Sequence, residues 1–262
     1  MSTNILAKIV ESKFGEVADR KMQINTKQLE DMPLFAKKCL SLKANLLDRS
    51  KTGIIAEFKR QSPSKGMINA VADVNEVTKA YSDFGAAGVS VLTDGPYFGG
   101  SLADLSIAIQ NPIPVLRKEF IIDEFQLIEA KAFGASVILL IASCLTPAET
   151  KQLAGIAKVL GMEVLLELHD EAELEYLCEE VDFVGINNRS LKSFEVNIEH
   201  SLKLKNLLPK EKLSIAESGI YDLATFQLLK KEGFDGFLMG EYFMKQENPA
   251  KAFEEFSKQI NL

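Results

Sequence analysis

The sequence of 262 residues has no excess of positive charge. Its 30 Lys and Arg stand against 37 Asp and Glu, for a formal net charge of −7. A broad surface for nucleic acid or for an anionic membrane calls for the opposite balance, so neither partner is expected and any anion must be met locally. Cysteine is scarce. Cys39, Cys144 and Cys178 are odd in number, far apart and without CxxC spacing, which argues against a disulfide framework and for reduced thiols in the cytoplasm. Histidine is scarcer still. His169 and His200 lie outside any apolar run, and without clustered His, Cys or paired acidic ligands no metal is expected. No apolar run nears the roughly 20 residues that cross a bilayer; the most apolar stretch covers only 135–142. The opening residues MSTNILAKIVESKFGEVADRK mix apolar and charged positions at helical spacing, so no signal peptide is expected. Neither a Gly/Ser linker nor a low-complexity block divides the chain.

What is present is a globular composition, 47% hydrophobic and 26% charged, in which short Val, Ile and Leu runs alternate with longer amphipathic segments. Eight runs read as strands, at 54–59, 89–93, 114–118, 136–141, 163–168, 183–187, 213–217 and 236–239. Between them, 74–84, 123–133 and 147–160 place apolar residues three and four apart, as helices do. Gly85, Gly134, Gly161 and Gly233 follow as left-handed caps. Repeated βαβ units suit a closed barrel or an open doubly wound sheet. Eight strands, with RQSPSKG instead of GxGxxG after the first, favour the barrel. The predicted fold is α/β, a single (β/α)8 TIM barrel over 1–262. Residues 48–262 form the barrel and 1–47 an N-terminal helical extension. That extension reads as two helices, 5–18 and 26–41, with Met32-Pro33 disturbing the second. Its expected place is over the amino-terminal end of the barrel, with a wrap towards the other end as the alternative.

Polar residues collect where strands finish. Glu57 and Lys59 close strand one and point the same way; Asp94 follows strand two and Lys118 closes strand three. Glu167 lies late in strand five, Asn187 closes strand six and Glu217 closes strand seven. A structural ion pair would explain Glu57 and Lys59 alone. Repetition at one rim marks an active face instead, since parallel barrel strands all end there. Strand starts are mostly apolar or small, Glu163 being the exception. Glycine follows strands seven and eight in Ser218-Gly219-Ile220 and Gly240-Glu241, where barrels often hold phosphate on backbone N–H groups. Glu241 would repel a phosphate, so the backbone is assigned and not that side chain. With no metal and no GxSxG, acid and base duties fall to lysine and glutamate. His169 begins a turn and reads as a cap.

Six motifs spread over most of the chain, IIAEFKRQSPSKG at 54–66, LTDGPYFGGS at 92–101, VLRKEFIIDEFQ at 115–126, LLELHDEAEL at 165–174, GINNRSLKSFEV at 185–196 and IAESGI at 215–220, resemble the indole-3-glycerol phosphate synthase family. The resemblance implies ring closure of 1-(2-carboxyphenylamino)-1-deoxyribulose 5-phosphate, with loss of carbon dioxide and water and without a cofactor. It casts Lys118 as general acid towards the substrate carbonyl and puts Lys59 near the anionic groups. It assigns Glu57 and Glu167 to the acid-base work of dehydration and Glu217 to support of the lysines. Ser62, Asn187, Arg189 and Ser218 match binding positions, and Gly219 and Gly240 the phosphate site. The chain departs from the family at Glu119 and Ser190, where aspartate is common. Cys144 has no assigned role and reads as a small packed hydrophobe.

Two alternatives differ in what they demand. A phosphoribosylanthranilate isomerase-like barrel would use an Asp or Cys pair at the strand ends, and a non-catalytic phosphate-ligand barrel would lack a member of the lysine and glutamate set. Oligomeric state is left open by the absence of an exposed apolar stripe, a monomer being one outcome.

Overall fold

A computed structural model describes residues 5–189 and 195–260. The eight apolar runs are strands β1 (Ile54–Phe58), β2 (Gly88–Leu92), β3 (Val115–Lys118), β4 (Val137–Ile141), β5 (Glu163–Leu168), β6 (Phe183–Asn187), β7 (Leu213–Glu217) and β8 (Gly236–Met239). They hydrogen-bond in sequence order, all parallel, and β8 returns to β1 through the register Ile54 to Phe237 and Ile55 to Leu238. The sheet is therefore a closed barrel, a TIM barrel. Helices Val74–Asp83, Glu124–Ala132 and Pro147–Val159 fall within one residue of the segments predicted from periodicity. The four expected cap glycines all take positive φ, between 77° and 85°. Among the described residues, only β5 is followed by less than an α-helix, a 3₁₀ segment at Glu171–Tyr176.

Strand residues sort into two cores by the period of two. Ile55, Leu116, Leu139, Leu165, Phe183, Ile215 and Leu238 fill the barrel interior. Ile54, Ala56, Val89, Val115, Ile138, Val164 and Val184 face the outer helices. The interior rows run on, two residues further, to Glu57, Lys118, Glu167 and Glu217. Alternation thus delivers each charge to the inside of one rim.

The extension departs from expectation. Helix α1 (Ile5–Gln23) is followed by α2 (Thr26–Glu30) and α3 (Leu42–Leu47). The predicted second helix at 26–41 stops at Glu30, because Pro33 cannot donate a helical hydrogen bond. Ser41 begins the new helix instead, its hydroxyl accepting from the Ala44 amide at 3.0 Å. Helix α3 closes the amino-terminal end, with Leu42 buried in the interior cluster. Glu163 at the foot of β5 accepts from the Ser41 hydroxyl at 2.6 Å and the Leu42 amide at 2.7 Å. The one charged strand start is thus an anchor for α3. Helix α1 lies at the opposite, carboxyl-terminal end: Leu6 and Ile9 pack with Phe120 and Ile141, and Lys13 pairs with Asp94 and Glu119 beyond β2 and β3. The wrap towards the other end is the observed arrangement for α1.

Candidate active site

At the carboxyl rim a cavity of about 190 Å³ opens. Of the residues anticipated at this rim, Glu57, Lys59, Ser62, Lys118, Glu167, Asn187, Arg189, Glu217, Ser218, Gly219 and Gly240 line it, and Asp94 does not. Part of the lining is apolar, supplied by Ile5, Leu6 and Ile9 of α1 together with Phe98, Phe120 and Leu139.

Lys118 is the centre of the charged part. Its ammonium donates to Glu217 Oε2 at 2.8 Å and to Glu167 Oε2 at 3.3 Å. The Asn187 amide donates to the other Glu167 oxygen at 2.9 Å. Glu57 is paired with Lys59, Nζ to Oε1 2.5 Å. Both lysines remain slightly open, at 14% and 16% side-chain exposure, while the three glutamates are at 5% or less. The cations are thus the more open members of a rim whose carboxylates line the same cavity but are more deeply buried.

Burial works against the charge on Lys118, but Glu217, Glu167 and Glu57 outweigh it and raise the pKa of the ammonium, which stays protonated. The two carboxylates around it diverge. Burial would lift the pKa of Glu167, yet Lys118, His169 and Asn187 together hold it well below the usual carboxylate range. Burial dominates at Glu217 and, with the charge of Glu167, raises its pKa despite Lys118. The difference follows from partners: Glu217 Oε1 has no hydrogen-bond partner among the described residues. Glu217 is accordingly the carboxylate that takes a proton first.

The glycine loops form another part of the lining. Ser218 and Gly219 both have positive φ, 64° and 72°, a conformation that costs a non-glycine residue on the order of 1–3 kcal/mol. The Asn188 amide holds this turn by donating to the Ser218 carbonyl at 2.7 Å. Gly240 precedes the short helix Glu241–Met244. The Glu241 carboxylate approaches the Arg189 guanidinium at 3.5 Å and the Lys65 ammonium at 3.8 Å. Arg189 also donates to the Tyr221 hydroxyl at 2.7 Å. Ser190 lies outside the described residues.

Sequence reading missed Gly185, and the structure gives Gly240, Asp94 and Glu119 uses that it did not anticipate. Gly185 makes room for chemistry: a Cβ there would sit 2.0 Å from Glu217 Oε1, and glycine inside a strand is the signal that marks such a close approach. Gly240 does the same for Glu57, whose Oε1 would be 2.6 Å from an added Cβ. Asp94 belongs to an anchor and not to the cavity; besides Lys13 it accepts from the Tyr97 amide at 2.8 Å and caps helix Gly95–Phe98. Glu119, one of the departures, accepts from the Thr93 hydroxyl at 2.7 Å and pairs with Lys13 at 3.1 Å. Its longer side chain therefore has a structural use. Cys144 packs against both cores, and burial with Glu167 and Glu173 pushes its thiol up to about 12.

Comparison with known proteins agrees with this geometry. The family model described as indole-3-glycerol phosphate synthase matches residues 6–256. The indole-3-glycerol phosphate synthase of Bacteroides thetaiotaomicron is 43% identical over 260 residues, covering 98% of this chain and 99% of that protein. That of Acinetobacter baylyi is 41% identical over 258 residues, covering 97% and 96%. Among solved structures, 3-hexulose-6-phosphate synthase from Salmonella typhimurium superposes with a TM-score of 0.61 at 15% identity, over 79% of this chain and 98% of that one. Thiamine phosphate pyrophosphorylase from Pyrococcus furiosus gives 0.58 at 16% identity, over 84% and 98%. At such identities these two speak for the barrel alone.

Proposed function

Since the chain belongs to the indole-3-glycerol phosphate synthase family, and so converts 1-(2-carboxyphenylamino)-1-deoxyribulose 5-phosphate to indole-3-glycerol phosphate, we propose that Lys118 is the group that drives ring closure. Neither the isomerase nor the non-catalytic reading is favoured, and the lysine and glutamate set is complete. The supporting observation is the Lys118 ammonium, held at the cavity between Glu167 and Glu217.

Attack of the aromatic carbon on the substrate carbonyl builds negative charge on its oxygen. An ammonium fixed in a largely buried position neutralises that charge and passes it a proton. Loss of carbon dioxide follows, and the electron pair of the broken bond restores the ring. Dehydration then needs one group to take a proton from carbon or nitrogen and another to protonate the departing hydroxyl. We assign Glu57 and Glu167 to this role, with Lys59, paired to Glu57, serving the substrate's anionic groups and a later proton transfer. Glu217 supports Lys118. The Ser218-Gly219 turn and Gly240 offer backbone N–H groups to the phosphate. Ser62, Asn187 and Arg189 bind the remainder, and the apolar wall of α1 with Phe98 and Phe120 suits the aromatic ring.

We further read residues 1–262 as one working domain and the protein as cytoplasmic. Three free cysteines suit a reducing compartment. Lys118→Ala is expected to keep the circular dichroism of the barrel and to lower kcat by at least the roughly 10²- to 10⁴-fold that a positioned proton donor contributes. Near-normal turnover by the folded variant would remove Lys118 from its role.

A further inference from the structure

His169 follows β5 directly, and its sequence position suggested only a turn cap. In the fold its ring lies behind the catalytic rim with 11% side-chain exposure, between two carboxylates of different elements. Nε2 stands 3.2 Å from Glu167 Oε1. The approach is at ion-pair distance but off the hydrogen-bond direction, and Nε2 has no other partner among the described residues. Nδ1 is 3.7 Å from Glu173 Oε2 and 3.3 Å from the Ser143 hydroxyl. Glu173 is itself fixed: Ser143 donates to its Oε1 at 2.6 Å and the His169 amide to its Oε2 at 2.5 Å. On the other side, His200 Nε2 meets the His169 carbonyl at 2.8 Å.

A ring that stands between two carboxylates, with the Ser143 hydroxyl against Nδ1, is in surroundings of negative charge that hold imidazole as imidazolium. Burial lowers its pKa, but Glu167 and Glu173 outweigh that and raise it to about 10. The neighbouring Cys144 stays a neutral thiol. The charge is needed because Glu167 otherwise has one cation, Lys118, which it shares with Glu217.

We propose that His169 is a positioning residue for Glu167: clamped by Glu173 and Ser143, its imidazolium holds the carboxylate ionised and aimed at the Lys118 and Asn187 side of the cavity. Glu167 then enters dehydration as a proton acceptor while Glu217 carries any surplus proton. This rests on the reading that Glu167 takes part in the acid-base work.

The test is the pH dependence of kcat and KM for the full chain, from the lowest pH at which the barrel stays folded up to about pH 9, because the depressed Glu167 puts its limb below the ordinary carboxylate range. Glu167→Gln is expected to lose at least about 10²-fold in kcat. His169→Gln keeps an N–H but not the charge. Its KM should stay close to that of the unaltered protein while the acidic limb of kcat moves up by about 1 pH unit or more, a roughly tenfold loss at the acid end. Glu173→Gln, which leaves the ring in place, should move the same limb the same way by less. Full activity in Glu167→Gln would remove the reading beneath the proposal. Loss in Glu167→Gln with an unmoved limb in folded His169→Gln would overturn the proposal itself. Should His169→Gln fail to fold, an unmoved limb in Glu173→Gln decides against it equally.

Discussion

Glu217 can reach Lys118 because residue 185, one strand away, has no side chain. Gly185 and Gly240 are the two places where the chemistry of the rim depends on an absent Cβ. In Gly185→Ala the new methyl would overlap Glu217 Oε1 and stand 3.2 Å from Leu165 Cδ1, so the carboxylate must leave its position beside Lys118. We expect a loss of about 1–3 kcal/mol, as overpacking costs, measured by urea unfolding, together with a fall in kcat. Unchanged stability and turnover would mean that the rim relaxes freely. The glutamates and lysines themselves were legible in the sequence, because charges interrupting apolar runs at a period of two have few bland explanations. Gly185 was not, since glycine is also tolerated in strands for no reason beyond packing. The use of His169 was equally hidden: what holds its charge is Glu173, four residues on, folded back by the 3₁₀ segment and not by any regular spacing.

At the scale of elements, the strands and the three barrel helices read from periodicity were legible to within a residue or so, whereas the bounds and placement of the extension were not. Periodicity reports that a helix has a buried face; it does not report which end of a barrel that face meets. A signal existed all the same. The buried stripe of α1 runs Leu6, Ile9, Lys13 and Val17, and a lysine within an apolar stripe needs an acidic partner. Those partners are Asp94 and Glu119 at 2.8 and 3.1 Å, so α1 is tied to the loops after β2 and β3, immediately beside Lys118. Removing one member of a buried pair strands the other charges and typically costs about 3–5 kcal/mol. Lys13→Met should therefore lower the thermal midpoint markedly and raise KM through the loosened wall of Ile5, Leu6 and Ile9. A variant as stable as the original would mean that water repays the two carboxylates.

For the molecule as a whole, the rim makes folding depend on pH with a sign that can be worked out. Glu167 is depressed, so its contribution is present above the ordinary carboxylate range and fades as pH falls through it. His169 is raised from 6.5 to about 10; its contribution is complete below about 6.5 and is lost as pH climbs towards about 10. Glu217, raised by burial from 4.5 to about 7, loses its part as pH climbs between those values. Melting temperature should thus decline from about pH 6.5 to about pH 10, and less steeply in His169→Gln. A flat profile over that interval would contradict the ionised rim.

The chain contains no tryptophan, so the indole ring of the product is the only one in the cuvette. Fluorescence followed on mixing purified protein with 1-(2-carboxyphenylamino)-1-deoxyribulose 5-phosphate, in the presence of EDTA, reads ring closure directly. Lysine and glutamate at the barrel rim should give sustained growth of indole-3-glycerol phosphate emission. No product from the folded protein, with EDTA and again without it, would contradict the assigned reaction, and product only in its absence would contradict chemistry by those side chains alone.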